Sequence, residues 1–348
     1  LFHLGRLPRA RYLEIETELR TYLERTLGPE GFRIPRYYDT KPDFGDLDVV
    51  LCAEVVHQVV GPGTDWRTWL ADDLGIAESI RNPSVFSTVY RQFQVDYFIR
   101  PQDTFESTAH FLSYNDLGNL LGRIFRRLHL KYGERGLEYV YRRADGQTKR
   151  VLPVSREMSR ILAFIGLDYA TWDKGFHDLE QIYTWVISSP WFSVDPYLDP
   201  GRSIERRTRK RPTMRRFIAY LEAESIDKRC VYPPREVMIP KVAAFFPQAQ
   251  LLDAIAREEA AEARAAQIRA KFSGKRIMAW VPELRGDALG RFIRSFKAQF
   301  EAFDDAIEAM TAQEVERQVL RFWQQYAATH PPSSDRSKTE ADEPPQQP

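Results

Sequence analysis

The chain has 348 residues, of which 43% are apolar, enough to bury a sizeable core in two domains. Its formal net charge of +1 gives no global attraction to nucleic acid, so any such binding must come from local basic patches. Two cysteines, Cys52 and Cys230, with no Cys or His partner nearby in sequence, argue against a disulfide framework and a zinc site and fit a reducing, cytoplasmic setting.

The chain begins at Leu1 without a signal-peptide pattern, as a trimmed chain or a fragment would. No run of about 18 apolar residues occurs, so neither a transmembrane helix nor a membrane partner is expected. Leu13, Ile15, Leu19, Tyr22, Leu23 and Leu27 make an approximate helical stripe. It predicts a helix over residues 8–27 that ends at Gly28-Pro29-Glu30-Gly31. Phe32 to Tyr38 reads as a first strand.

That strand leads into Lys41-Pro42-Asp43-Phe44-Gly45-Asp46-Leu47-Asp48-Val49-Val50-Leu51, the most informative stretch of the chain. Residues i and i+2 of a strand point to one face. Asp46 and Asp48 are therefore expected to project together, while Leu47 and Val49 pack on the other side. Two carboxylates so placed repel each other unless a cation sits between them. Mg²⁺ (or Mn²⁺) suits such oxygen ligands. Gly45 would let a ligand's phosphates approach the backbone closely. Trp66, Trp69, Leu70 and Leu74 predict a helix over residues 64–82. Gln92 to Ile99 then alternates as a strand, with Asp96 on the face opposite Phe93, Val95, Tyr97 and Ile99. Placed beside the first strand, Asp96 would join Asp46 and Asp48 around two metal ions. Such a pair of ions serves in-line displacement at phosphorus.

Gly-Asp-x-Asp on one strand, with a later Asp on another, resembles the DNA polymerase β-like nucleotidyltransferase superfamily. That superfamily includes poly(A) polymerases and tRNA nucleotidyltransferases. The resemblance is strongest over about residues 33–110. It implies an α+β head with a mixed sheet, and transfer of a nucleoside monophosphate from an NTP with loss of pyrophosphate. It further implies that Asp46 and Asp48 ligate both metals. Asp96 would ligate the metal that lowers the pKa of the attacking hydroxyl. The family usually carries a Gly-Gly or Gly-Ser pair about ten residues before the acids. Here that region reads Arg36-Tyr37-Tyr38-Asp39-Thr40-Lys41-Pro42, which leaves Lys41 or Thr40 to hold phosphate.

Ser113-Tyr114-Asn115-Asp116 reads as a capping box ahead of a helix whose apolar face is Leu117, Leu120, Leu121, Ile124, Phe125 and Leu128. Arg123, Arg126 and Arg127 lie on its other face. A helix N-terminus favours anions, so Ser113 and Asn115 join Lys41 and Gly45 as candidate nucleotide contacts. Gly136 to Val154 reads as a hairpin turning at Asp145-Gly146. Strands are expected to end near Pro153, and the composition shift near residue 155 marks a domain boundary. Gly201 to Arg216 holds the densest positive charge. Within it Arg206, Arg207, Arg209, Lys210 and Arg211 are candidates for tracking a nucleic-acid backbone. Pro212 and Thr213 open a helix with Phe217, Tyr220 and Leu221 inward.

Residues 248–271 predict a long helix. Gly274 to Ile293, with Gly286-Asp287-Ala288-Leu289-Gly290, resembles the C-terminal helical region of tRNA nucleotidyltransferases. This implies RNA, tRNA included, as the acceptor. Thr311 and Glu314 form a capping box for a last helix to about Thr329. The tail over 331–348 has a disordered composition.

The expected organisation is a nucleotidyltransferase-like catalytic domain over 1–154, a helical, nucleic-acid-binding domain over 155–330, and the tail. The expected activity is metal-dependent, template-independent nucleotide transfer from an NTP to a hydroxyl, most simply an RNA 3′ end. The alternative is a non-catalytic relative that binds nucleic acid or a protein; the missing glycine pair favours it and the three acids oppose it. No GxxxxGK[ST] loop, HExxH pair or GxSxG elbow occurs, so P-loop, zincin and α/β-hydrolase chemistry is not supported.

Overall fold

The structure, a computed structural model, describes residues 2, 4–143, 146–198 and 211–330. It contains two compact units, Leu1–Leu252 and Asp253–Pro348. Among the described residues no helix is long and apolar enough to cross a membrane.

The first unit mixes α and β structure. Its central sheet has the order β2 (Phe32–Arg33), β4 (Leu47–Cys52), β7 (Phe93–Arg100), β6 (Phe86–Tyr90) and β5 (Ser79–Arg81). The β4–β7 pair is parallel and the other pairs are antiparallel, so the sheet is mixed. Alternation along β4 and β7 sends Leu47, Val49, Leu51, Phe93, Val95 and Tyr97 to one face. There they are buried against Tyr12, Ile15, Leu19, Leu23 and Leu27 of helix α1 (Arg9–Leu27). Val56 of α2 (Ala53–Val60) and Trp66 and Leu70 of α3 (Trp66–Asp73) complete this core. On the other face Val50 and Cys52 pack under Phe105 and Ala109 of α4 (Gln102–Leu112). The end of that face bearing Asp48 and Asp96 lies beyond this cluster.

Two small sheets flank the central one. A short ladder joins β1 (Leu7–Pro8) to β3 (Asp43–Phe44), with Leu7 opposite Phe44. A three-stranded antiparallel sheet has the order β10 (Thr148–Ser155), β9 (Gly136–Arg142), β8 (Lys131–Gly133). The β9–β10 hairpin is the expected one; Asp145 of its turn lies outside the described residues. Among the described residues no strand follows Ser155, yet the helices up to Phe245 belong to the first unit. The change from mixed to helical sequence and the division into compact units therefore fall at different places.

Several elements differ from the sequence reading. The first strand is two residues long, not seven. Pro35 offers no N–H, and the backbone beyond it pairs elsewhere. Tyr114 N–H donates to Arg36 O at 2.6 Å, and Asp39 N–H and Thr40 N–H donate to Phe176 O and His177 O at 2.9 and 2.8 Å. The helix expected over 64–82 stops at Asp73; Gly75 turns the chain at a φ of 63°, and Ser79–Arg81 become a strand. Helix α2 follows β4 directly inside one apolar run, where the change of period from strand to helix is hard to see.

The second unit is helical. Ile268, Phe272, Ile277, Val281, Phe292, Phe296, Ile307, Val315, Val319 and Tyr326 form its core. Ser273 and Thr311 cap the helices Gly274–Trp280 and Ala312–Thr329, and Thr311 with Glu314 makes the expected capping box. Residues 331–348 lie outside the described residues.

Candidate metal centre

Parallel pairing sets Asp48 on β4 beside Asp96 on β7 in register. Asp46 immediately precedes β4, at the end of the turn from β3, and projects two residues ahead of Asp48. One carboxylate oxygen from each of Asp46, Asp48 and Asp96 lies within 4.8 Å of those from the other two. Asp96 is the most buried of the three and Asp46 the most exposed.

The turn that carries Asp46 is anchored from below. Phe44 stacks on Tyr12 with ring centroids 3.6 Å apart and planes 8° from parallel. Arg6 Nε donates to Asp43 Oδ1 at 2.7 Å. A Cβ at Gly45 would stand 2.8 Å from Arg6 Nη1, the mobile end of an exposed side chain. Arg6 thus stands beside Gly45, the residue expected to lie close to phosphate.

The electrostatics are those of crowded like charges. Burial, then the neighbouring Asp46 and Asp96 charges, push the Asp48 carboxyl well above the usual carboxylate range. Burial and Asp96 likewise raise Asp46, against the pull of Lys41 and Arg6. Burial pushes the Lys41 ammonium below its ordinary value, with Asp46 and Asp48 pulling the other way. Its Nζ donates to Asn115 Oδ1 at 2.9 Å and sits 4.3 Å from the Phe44 ring centre.

An all-oxygen donor set suits a hard divalent cation. A second observation tests the fit. Gln94 Nε2 donates to Asp96 Oδ2 at 2.9 Å, but Asp96 Oδ1 is buried with no hydrogen-bond partner. A buried acceptor left unpaired is costly, and a bound ion removes that cost. The residues present therefore fit a cation.

The other candidates separate. Lys41 and Asn115 meet beside the acids. The Thr40 hydroxyl instead donates to His177 O at 2.9 Å. Ser113 is not an N-cap: it ends α4, buried, where its hydroxyl accepts from Arg36 N–H at 3.0 Å and donates to Ala109 O at 2.8 Å. Tyr114 and Asn115 take φ values of 57° and 60°, which interrupts the helix, and α5 (Leu117–Arg127) starts after Asp116 with no side-chain cap. Arg211 Nη1 pairs with Asp116 Oδ1 at 2.6 Å. Arg206, Arg207, Arg209 and Lys210 lie outside the described residues.

Sequence reasoning passed over Gln94, although its place two residues before Asp96 put it on the same strand face. Hydrogen-bonded partners of metal ligands typically contribute ten- to hundred-fold to affinity. Gln94→Leu is accordingly expected to weaken Mn²⁺ binding by about 10–100-fold. Titration of the bound Mn²⁺ signal by electron paramagnetic resonance measures this, and an unchanged Kd would remove Gln94 from the centre.

No protein-family model matches this chain, and a search of curated proteins finds no match either.

Proposed function

We propose that the protein is a metal-dependent nucleotidyltransferase that moves a nucleoside monophosphate from an NTP to a hydroxyl acceptor, with RNA as the acceptor class. The observation that carries this reading is the convergence of three carboxylates from two adjacent parallel strands, one of them with an unpartnered buried oxygen. Asp46, Asp48 and Asp96 would hold Mg²⁺ or Mn²⁺. When bound, such ions neutralise charge on the transferred phosphoryl group and lower the pKa of the attacking hydroxyl. Gln94 orients Asp96 through Oδ2 and leaves Oδ1 free for the ligand side. Lys41, held by Asn115 beside the acids, supplies positive charge to the phosphates in place of the glycine pair that the family usually carries. The basic run ending at Arg211 would contact the acceptor's backbone.

The test is incubation with each labelled NTP, Mg²⁺ or Mn²⁺ and a pool of RNAs, with products sized on a gel. Metal-dependent extension of RNA 3′ ends is expected. Label transferred to protein instead would move the acceptor to another class, and no transfer with any NTP would refute the enzymatic reading. Single-stranded RNA affinity should fall with salt by a slope of about −0.7 per neutralised phosphate. Replacing Arg206, Arg207 and Arg209 with Ala should flatten that slope by about two units.

A further inference from the structure

The antiparallel β6–β7 pair places Ser87 directly opposite Asp96. Opposed residues in such a pair share a sheet face, with Cβ atoms roughly 4.5–5.5 Å apart. Ser87 is wholly buried, at 0% exposure, and its Oγ has no hydrogen-bond partner. Asp96 Oδ1 is in the same condition. Buried hydroxyls are nearly always paired, because desolvation without a partner is unfavourable. Here two unpaired oxygens stand on opposed residues of one face, and one of them belongs to the acid cluster. Neighbouring Thr88 shows the ordinary arrangement: its hydroxyl donates to Val95 O at 3.1 Å.

We infer that the Ser87 hydroxyl is a fourth oxygen donor of the cation site, working beside Asp96 Oδ1. This inference rests on the cation-site reading given above. A neutral hydroxyl is the fitting fourth donor. Three carboxylates already offer oxygens within 4.8 Å of one another, and a fourth acid would add to their repulsion. A hydroxyl enlarges the oxygen shell of a hard cation without adding charge. The vacant valences of Ser87 and Asp96 then have one explanation.

The test uses the full chain and the metals alone. Mg²⁺, Mn²⁺ and Cd²⁺ are titrated against thermal unfolding for the wild type, Ser87→Ala, Ser87→Cys and, as a control, Asp48→Asn. The wild type should be stabilised by metal and Asp48→Asn should not respond. Ser87→Ala is expected to raise the Mg²⁺ midpoint at least about 10-fold, the lower bound for partners outside the ligand shell. Its metal-free melting temperature should be unchanged or higher, since an unsatisfied polar group is removed. Ser87→Cys exchanges a hard oxygen for a soft sulfur, so its Mg²⁺ response should weaken more than its Cd²⁺ response. A residue with only a packing role would not alter metal preference. A wild type indifferent to every metal overturns the cation site and Ser87 with it. A responsive wild type with Ser87→Ala and Ser87→Cys at the same midpoints and the same preference overturns Ser87 alone.

Discussion

Asp48→Asn should abolish metal binding and nucleotide transfer while making the metal-free protein more stable at neutral pH. The two effects have one origin. Asp48 is held close to Asp46 and Asp96, and burial plus their charges raise its carboxyl well above 3.8. A carboxyl raised on folding binds its proton more tightly in the native state than in the unfolded one. Between the unfolded value near 3.8 and its raised native value, the folded protein holds the extra proton. Stability without metal therefore falls as pH rises through that interval. Below the interval both states are protonated and the penalty is absent. Above it the penalty is complete. Asn keeps the shape and removes the charge, so the slope should flatten and stability at neutral pH should rise.

Metal works in the opposite direction. A ligand that binds only the folded state stabilises it by about 2.7 kcal/mol at a hundred-fold excess over Kd. The wild type should gain this from Mg²⁺ and Asp48→Asn should not. Outer-shell partners of metal ligands already contribute about 10–100-fold, so loss of a direct ligand should take activity further down than that. The measurement is urea unfolding of both proteins across pH, with and without metal, alongside the transfer assay. If Asp48→Asn proves less stable than the wild type without metal, Asp48 contributes to packing and the crowded-charge account fails.

The acids were legible in the sequence because strand alternation is a local property. Asp46, Leu47, Asp48 and Val49 declare two faces within four residues, and Asp96 does the same between Val95 and Tyr97. The helix α1 and the capping box at Thr311 were legible for the same reason, since periodicity and caps act within a few residues. What was not legible depends on pairing between distant segments. Ser87 has no meaning in sequence until β6 lies against β7 and sets it opposite Asp96. Ser113 has the composition of an N-cap, but its hydroxyl is claimed by Arg36, 77 residues away. That Arg6 comes to stand beside Gly45 is likewise invisible locally. The segment after Phe32 has strand composition through Tyr38. Arg36 O instead accepts from Tyr114, and the amides of Asp39 and Thr40 just beyond bond to Phe176 and His177, which no local pattern reveals.

A pair of core substitutions separates stability from site geometry. Leu19 and Phe44 are both buried in the core beneath the central sheet. Leu19→Ala should cost about 2–5 kcal/mol and Phe44→Ala about 3–5 kcal/mol, by lost transfer energy plus the cavity left behind. Their effects on metal should differ. Leu19 packs from α1 and touches no element of the acid turn by chain connection. Phe44 stacks on Tyr12, lies under the Lys41 ammonium at 4.3 Å, and is followed by Gly45 and Asp46. Removing its ring frees the turn that aims Asp46 and takes away the platform under Lys41. At a temperature where both variants stay folded, Leu19→Ala should bind Mn²⁺ with the wild-type midpoint. Phe44→Ala should bind it more weakly, because part of the binding energy must then order the turn. Circular dichroism fixes the folded fraction, and Mn²⁺ titration by electron paramagnetic resonance gives the midpoints. Equal midpoints in the two variants would mean that β4 and β7 alone orient the acids, and that the Tyr12–Phe44 stack serves stability only.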